Sequence, residues 1–318
     1  MRSKIFMQIF KENTQIHFMG QRRIAMIFSA LLIVLSLVSL TLRGLNFGID
    51  FTGGTIVEIG YPHPVDIADT RAQLKAIGFE RAVVQHFGTT RDLLVRLPPR
   101  DGVDKATLSN RIIRELEARA GTRLQLRRVE FVGPQVGEEL TEQGGLAMLV
   151  ALGVILIYVA FRFEYRFALG SVVALIHDVI ITLGFFSAFH IEFDLTVLAA
   201  ILAVIGYSLN DTIVVFDRIR ENFRKFRKGT PIDVINSSLN QTISRTLITS
   251  VTTLLVLITL FLLGGQLIHG FSTALIIGVI VGTYSSIFVA STTVLALGVS
   301  KADLMSPPKE GAEFDGHP

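Results

Sequence analysis

Cysteine is missing from all 318 residues, which rules out disulfides and any thiolate-held metal. Charge is scarce as well. Asp, Glu, Lys and Arg make up 18% of the chain, where a soluble domain carries about 25%. The net charge of +3 is too small to argue for nucleic acid as a partner. No Walker-type sequence occurs, so any work done by the chain draws on an ion gradient or a partner. Half of the residues are apolar, and they are gathered into runs long enough to cross a bilayer.

The first run covers residues 24–42, after a polar, basic N-terminal segment 1–23. It has full span length, and Arg43-Gly44 follows with no small-residue cleavage site, which predicts an uncleaved span and not a signal peptide. A polar stretch, 43–141, separates it from five further runs at 144–161, 168–189, 195–216, 246–264 and 271–297. Spans two to six therefore fill 142–297, and 298–318 form a tail. The last run is long enough to be tilted, or to begin as an interfacial segment.

Orientation follows from the basic residues in the short connections. The N-terminus carries Lys4, Lys11, Arg22 and Arg23, and the second-to-third connection carries Arg162 and Arg166. Between the fourth and fifth spans lie Arg218, Arg220, Arg224, Lys225, Arg227 and Lys228, and the tail holds Lys301 and Lys309. The alternate connections, 190–194 and 265–270, hold no Lys or Arg. Both termini are predicted to be cytoplasmic and 43–141 to lie outside.

Within that outer stretch the pattern alternates. Residues 55–59 read as a strand, 65–78 as a helix stopped by Gly78, and 82–87 with 93–97 as a hairpin across Gly88-Thr89-Thr90. Residues 105–120 read as a helix with Leu108, Ile112 and Leu116 on one face, and 124–132 as a closing strand. The expected fold is a polytopic α-helical membrane protein with six transmembrane helices. One α+β, ferredoxin-like βαββαβ domain lies between helices 1 and 2. The cytoplasmic connection at 217–245 reads as an interfacial amphipathic helix through Ile219, Phe223 and Phe226. The cap Thr230-Pro231-Ile232-Asp233 then starts a second short helix.

Polar side chains within the runs are candidates for function, because a charge at a helix centre costs about 2.5–3.5 kcal/mol. They are His177 and Asp178 in the third span, Asn210 and Asp211 in the fourth, and Arg245 at the start of the fifth. At 1.5 Å per residue Asp211 lies roughly 7–8 Å inside the cytoplasmic surface, within reach of Arg245. The two are expected to form a buried pair, with Asp178 or His177 a further step along the same route. Burial raises a carboxylate's pKa and a nearby guanidinium lowers it, so such a site can load and release a proton. The competing role is an ion pair that fixes helix register; for Asp178 it is a carboxylate satisfied by His177 or a hydroxyl. His177 has no second His or Cys at ligand spacing, so no metal or other cofactor is expected. Gly206, Gly278 and Gly282 read as helix-packing positions. Gly48-Ile49-Asp50-Phe51-Thr52-Gly53-Gly54 has glycines like a phosphate loop but lacks its Gly-Lys-Ser/Thr ending.

That last segment resembles a signature of the SecD/SecF family. So do Phe131-Val132-Gly133-Pro134, Ala174 to Ile180 around His177-Asp178, Gly206 to Val215 around Asn210-Asp211, Arg218 to Asn222, and Ser244-Arg245-Thr246-Leu247. The motifs run in order from about residue 44 to 250, and one outer domain of about 100 residues is similar to the smaller-domain member of the family. The resemblance implies a non-enzymatic accessory subunit of the bacterial Sec translocase, in the resistance–nodulation–division superfamily, in the inner membrane. It would pair with SecD, act at the SecYEG channel alongside YajC and YidC, and use protons to help pull exported polypeptide across. Asp211 then matches the family's relay aspartate and Arg245 its partner arginine. The segment Gly48, Asp50, Phe51, Thr52, Gly53 and Gly54 marks the exit from the first span into the periplasm. Two other classes compete. A half-exporter of lipid or small molecules would want larger outer domains. An intramembrane aspartyl protease needs carboxylates close enough to share a proton, whereas Asp178 and Asp211 differ in depth by roughly 7 Å.

Overall fold

The computed structural model describes residues 15–99, 105–226 and 229–299. A 3-10 turn at Phe18–Gln21 leads into α1, Arg22–Arg43. Gly44 ends it at φ +67°. β1 (Asn46–Phe47) and a single turn, α2 (Ile49–Thr52), carry the chain into the α+β domain. The domain consists of β2 (Gly54–Gly60), α3 (Ile67–Ala76), β3 (Val83–Phe87), β4 (Thr89–Leu97), α4 (Lys105–Ala120) and β5 (Gln125–Val132). The order is β–α–β–β–α–β, and the sheet order β3-β4-β2-β5 is antiparallel throughout.

Local chemistry explains these boundaries. Asp66 caps α3 by accepting the Ala68 N–H at 2.7 Å. Gly78 and Gly121 follow α3 and α4 at positive φ, where a side chain would be strained. Val57, Ile59, Leu93 and Val95 face Leu74, Ile112 and Leu116 in one apolar core. The Leu108 side chain lies outside the described residues, as do Lys4, Lys11, Arg227, Lys228, Lys301 and Lys309.

Five further helical stretches follow: α5 (Pro134–Arg162), α6 (Tyr165–Ala188), α7 (Leu195–Lys225), α8 (Pro231–Leu263) and a broken last span. The last span is α9 (His269–Ser285), a π turn (Ser286–Ala290) and α10 (Ser291–Ala296). β6 (Glu192–Phe193) precedes α7 and pairs in parallel with β1. With α1, six helices among the described residues are long and apolar enough to cross a membrane. The chain is a multi-pass membrane protein. α6, α7 and the last span are largely buried and form its centre, while α1, α5 and α8 turn apolar faces outward.

Small residues set the close helix contacts. A Cβ on Gly278 would fall 2.1 Å from Val204 Cγ2, and one on Gly282 2.9 Å from Ser208 Cβ, so α7 and α9 meet nearly backbone to backbone. Gly206 does not do this. Nothing lies within 4 Å of its Cβ position, because α7 turns that face outward and packs on α9 through the face of Val204 and Ser208.

Two helices extend beyond their apolar runs. α5 starts at Pro134, ten residues before the run expected at 144, and Gly137 lets its first turns sit on the backbone of Phe51 and Gly53. α7 continues unbroken to Lys225, so residues 219–225 are not a separate interfacial helix. Ile219 and Phe223 are buried in the main core, and Asn222 donates to Ser238 at 2.8 Å and to Gln241 at 3.1 Å on α8. These bonds hold the segment against another helix. Thr230 and Asp233 form the expected reciprocal cap, but it begins a helix of 33 residues.

Candidate functional site

The intramembrane polar residues divide into two groups. The first surrounds Asp178 on α6, a residue 1% exposed. Its Oδ1 meets His177 Nδ1 at 2.9 Å, and its Oδ2 accepts the hydroxyls of Ser208 at 2.5 Å and Ser285 at 2.8 Å. His177 Nε2 lies 3.2 Å from Ser29 Oγ, which is 3.0 Å from Tyr284 Oη. Tyr284 in turn donates to the Ala25 carbonyl at 2.7 Å. One buried network thus joins α1, α6, α7 and α9, and both Asp178 oxygens are occupied. A carboxylate so satisfied is well suited to fix how helices pack.

The second group surrounds Asp211 on α7, 2% exposed and facing α8. Ser250 of α8 is its polar neighbour, and Arg245 is the cation acting on it. Ser250 Oγ lies 2.7 Å from Thr283 Oγ1 on α9 and 3.5 Å from Tyr207 Oη. Asp211 Oδ2 is buried without a hydrogen-bond partner, as is Thr246 Oγ1 on α8. The close Asp211–Arg245 pair expected from depth is not formed. Arg245 is exposed, and among the described residues no ion pair within 4.0 Å joins it to a carboxylate. Rotation about the helix axis, which spacing along the chain does not give, turns Arg245 to an outer face. Asn210 is exposed too, one residue from Asp211 and so about 100° around α7. It shares an outward stripe with Ala199, Ala203 and Gly206.

The glycine-rich segment forms a joint. Gly48 donates its N–H to the Phe193 carbonyl at 2.8 Å, and Asp50 Oδ2 accepts the Leu195 N–H at 3.0 Å, at the start of α7. Asp194 caps the same helix through Val197 N at 2.9 Å. Phe51 packs against Phe47 and Phe193 with ring centroids 5.7 Å apart in each case. Thr52 returns its hydroxyl to the Gly48 carbonyl at 3.0 Å. Gly53 and Gly54 have φ of +67° and +131°, and a Cβ on Gly54 would lie 2.4 Å from the Leu97 carbonyl oxygen. Only glycine fits there.

Ser29, Ser208, Ser250, Thr283, Tyr284 and the hydroxyl role of Ser285 escaped the sequence reading. Their signal was weak, since Ser and Thr are common in packed spans and often bond their own helix backbone. Among the described residues no hydrogen bond joins Asp178 to Asp211. Among the described residues no group of three His, Cys, Asp or Glu side chains is placed to hold a metal.

Comparison with known proteins agrees with these landmarks. The family described as "Protein export membrane protein SecD/SecF, C-terminal" matches residues 112–300, and the "SecD/SecF GG Motif" matches 38–64. The chain is 56% identical to "Protein translocase subunit SecF" of Vibrio alginolyticus, covering 98% of this chain and 99% of that one. It is 51% identical to the protein of the same name from Pseudomonas aeruginosa, over 95% and 98%. The crystal structure of SecDF, described as a translocon-associated membrane protein, from Thermus thermophilus superposes with a TM-score of 0.83 at 39% identity. That match covers 91% of this chain, which spans 39% of the length of the SecDF chain.

Proposed function

The chain belongs to the SecD/SecF family of protein-export membrane proteins, among its SecF members, and from that premise we propose that it is an accessory subunit of the Sec translocase. Together with a SecD-type partner it uses the proton gradient to assist export of polypeptides delivered by SecYEG, with YajC and YidC as further neighbours. It works as a transport subunit without an enzymatic reaction of its own. Both termini face the cytoplasm, and the α+β domain, of ferredoxin-like topology, stands on the periplasmic side of the bacterial inner membrane.

The observation that carries this reading is the contrast between the two buried aspartates. Asp178 has both oxygens filled by protein groups, whereas Asp211 keeps a buried oxygen with no partner. The second arrangement suits a group that takes up and gives off a proton, because protonation there need not break an existing hydrogen bond. Ser250 and Thr283 extend the polar route from Asp211 to α9. Arg245 supplies the charge that favours the ionised form. Its exposed position, together with the outward stripe Ala199, Ala203, Gly206 and Asn210 on α7, suits a site completed at an interface with the partner's helices. His177 and Asp178 hold the surrounding helices in register.

The test is translocation of a model secretory protein into inverted membrane vesicles, with and without a proton gradient. Each unit charge crossing the full field is worth about 2.3 kcal/mol per 100 mV, so a working relay registers as gradient-dependent stimulation. Asp211→Asn keeps the side-chain shape and removes the titrating proton. It is expected to assemble with SecD normally and abolish the stimulation. Full stimulation in that variant at normal SecD levels would remove Asp211 from the mechanism.

A further inference from the structure

The α+β domain is fastened to the membrane body at a defined place. β1 pairs with β6, Asn46 opposite Glu192 and Phe47 opposite Phe193. Arg96, in β4 of the domain sheet, forms an ion pair with Glu192 and donates from Nη1 to the Phe47 carbonyl at 3.1 Å. The guanidinium therefore grips both strands of the small parallel pair. Asp50 adds its bond to Leu195 N two residues beyond β6. Apart from the Phe47 bond, these ties end within residues 192–195, at the start of the helix that carries Asp211.

Beside the joint the fit is open, and Asn46, Asp50 and Glu192 themselves border the gap. A cleft of about 400 Å3 lies between Ile56 and Leu94 of the sheet and Leu267 and Gly270 at the start of the last span. Gly48 fits only because it lacks a side chain, since its Cβ would lie 3.1 Å from Glu192 Oε1 and 3.2 Å from Asp194 Cβ. The Arg96 side chain is 13% exposed, so the pair is sheltered from the screening that weakens surface ion pairs.

We propose that Arg96 and Glu192 are positioning residues that make the α+β domain and the first turn of α7 one moving body. A displacement of α7 produced at Asp211 is then delivered to the domain, while the open cleft leaves room for the domain to swing relative to the last span. The joint rests on the translocase reading for its purpose, but its existence can be measured without transport.

The chain has no cysteine, so labels can be placed singly at exposed positions. Spin labels at Glu80→Cys in the domain and Thr196→Cys in the first turn of α7, both exposed, report their separation in lipid nanodiscs containing the full chain. The unsubstituted joint is expected to give one narrow distance distribution. Arg96→Gln should broaden it and remove gradient-dependent stimulation at unchanged complex levels. The exchange Arg96→Glu with Glu192→Arg restores the ion pair but not the bond to the Phe47 carbonyl, so it should narrow the distribution partway and recover part of the stimulation, which a purely structural loss of packing would not. Should Arg96→Gln not assemble, Glu192→Ala carries the same expectation. An unchanged distribution in the single variants, retained stimulation despite broadening, or an exchange as broad as the singles would each overturn the proposal. Absence of any gradient response in the unsubstituted protein would count against the translocase reading, leaving the distance result to decide the joint.

Discussion

Ser208 Oγ donates to Asp178 Oδ2 across 2.5 Å, and Ser208 is also the residue against which Gly282 packs. Close helix approach and the filling of the buried carboxylate are therefore one arrangement. Shortening the acceptor should break both. Asp178→Ala is expected to lower stability by about 1–3 kcal/mol for unsatisfied buried groups, with Asp178→Asn milder. Thermal loss of the monodisperse peak in detergent measures it, and equal midpoints for Asp178→Ala and the unsubstituted protein would refute the structural role.

Ser250 stands between Asp211 and Thr283, and on the proposed reading its hydroxyl serves the relay. Ser250→Ala removes a partner of a charged group, an interaction worth about 1.5–3 kcal/mol. The expected outcome is a severalfold drop in gradient-dependent translocation with normal chain levels. A variant with the full rate in the vesicle assay would exclude Ser250 from the route.

The glycines of α7 and α9 predict opposite behaviour. Gly278→Ala must displace Val204 and should destabilise the isolated chain by about 1–3 kcal/mol, the usual cost of overpacking. The Cβ of Gly206→Ala meets nothing within 4 Å, so this variant should leave the thermal midpoint unchanged while reducing co-purification with SecD. Undiminished co-purification would show that this face is not the partner interface.

Glu192 predicts a pH dependence. Burial pushes its carboxyl above the ordinary 4.5, outweighing the opposing pull of Arg96. A raised folded-state value means the proton is bound more tightly in the folded protein. The corresponding stability is fully present below the ordinary carboxylate range and is lost as pH rises through the raised value. Thermal midpoints measured upward from pH 4.5 should fall more steeply for the unsubstituted chain than for Glu192→Gln. Parallel slopes would show that Glu192 does not titrate in this way.

Much of the architecture was legible in the sequence because the strongest signals are one-dimensional. Apolar run length gave the six spans, and Gly78 and Gly121 marked helix ends through their positive φ. Ile219 and Phe223 misled because an amphipathic pattern is the same whether the apolar face meets lipid or another helix. Arg245 misled because spacing gives depth while the partner's azimuth depends on how α7 and α8 pack. The Asp178 network was invisible for a related reason: Ser29, Ser208 and Ser285 come together across 256 residues of chain, and nothing local marks hydroxyls that converge.

The π turn at Ser286–Ala290 sets the register of the last span in two separate halves. Before it, Ser285 is indexed to Asp178. From its last residue onward, Ala290 and Val294 are indexed to Gly170, whose Cβ would lie 2.8 Å from Val294 Cγ2. An α-helix turns about 100° per residue, so a straight helix through this stretch would aim one of those faces away from its groove. The wide turn takes up the difference. Deleting a single residue there would leave every docking side chain chemically intact and yet force the span to choose between its two docking partners.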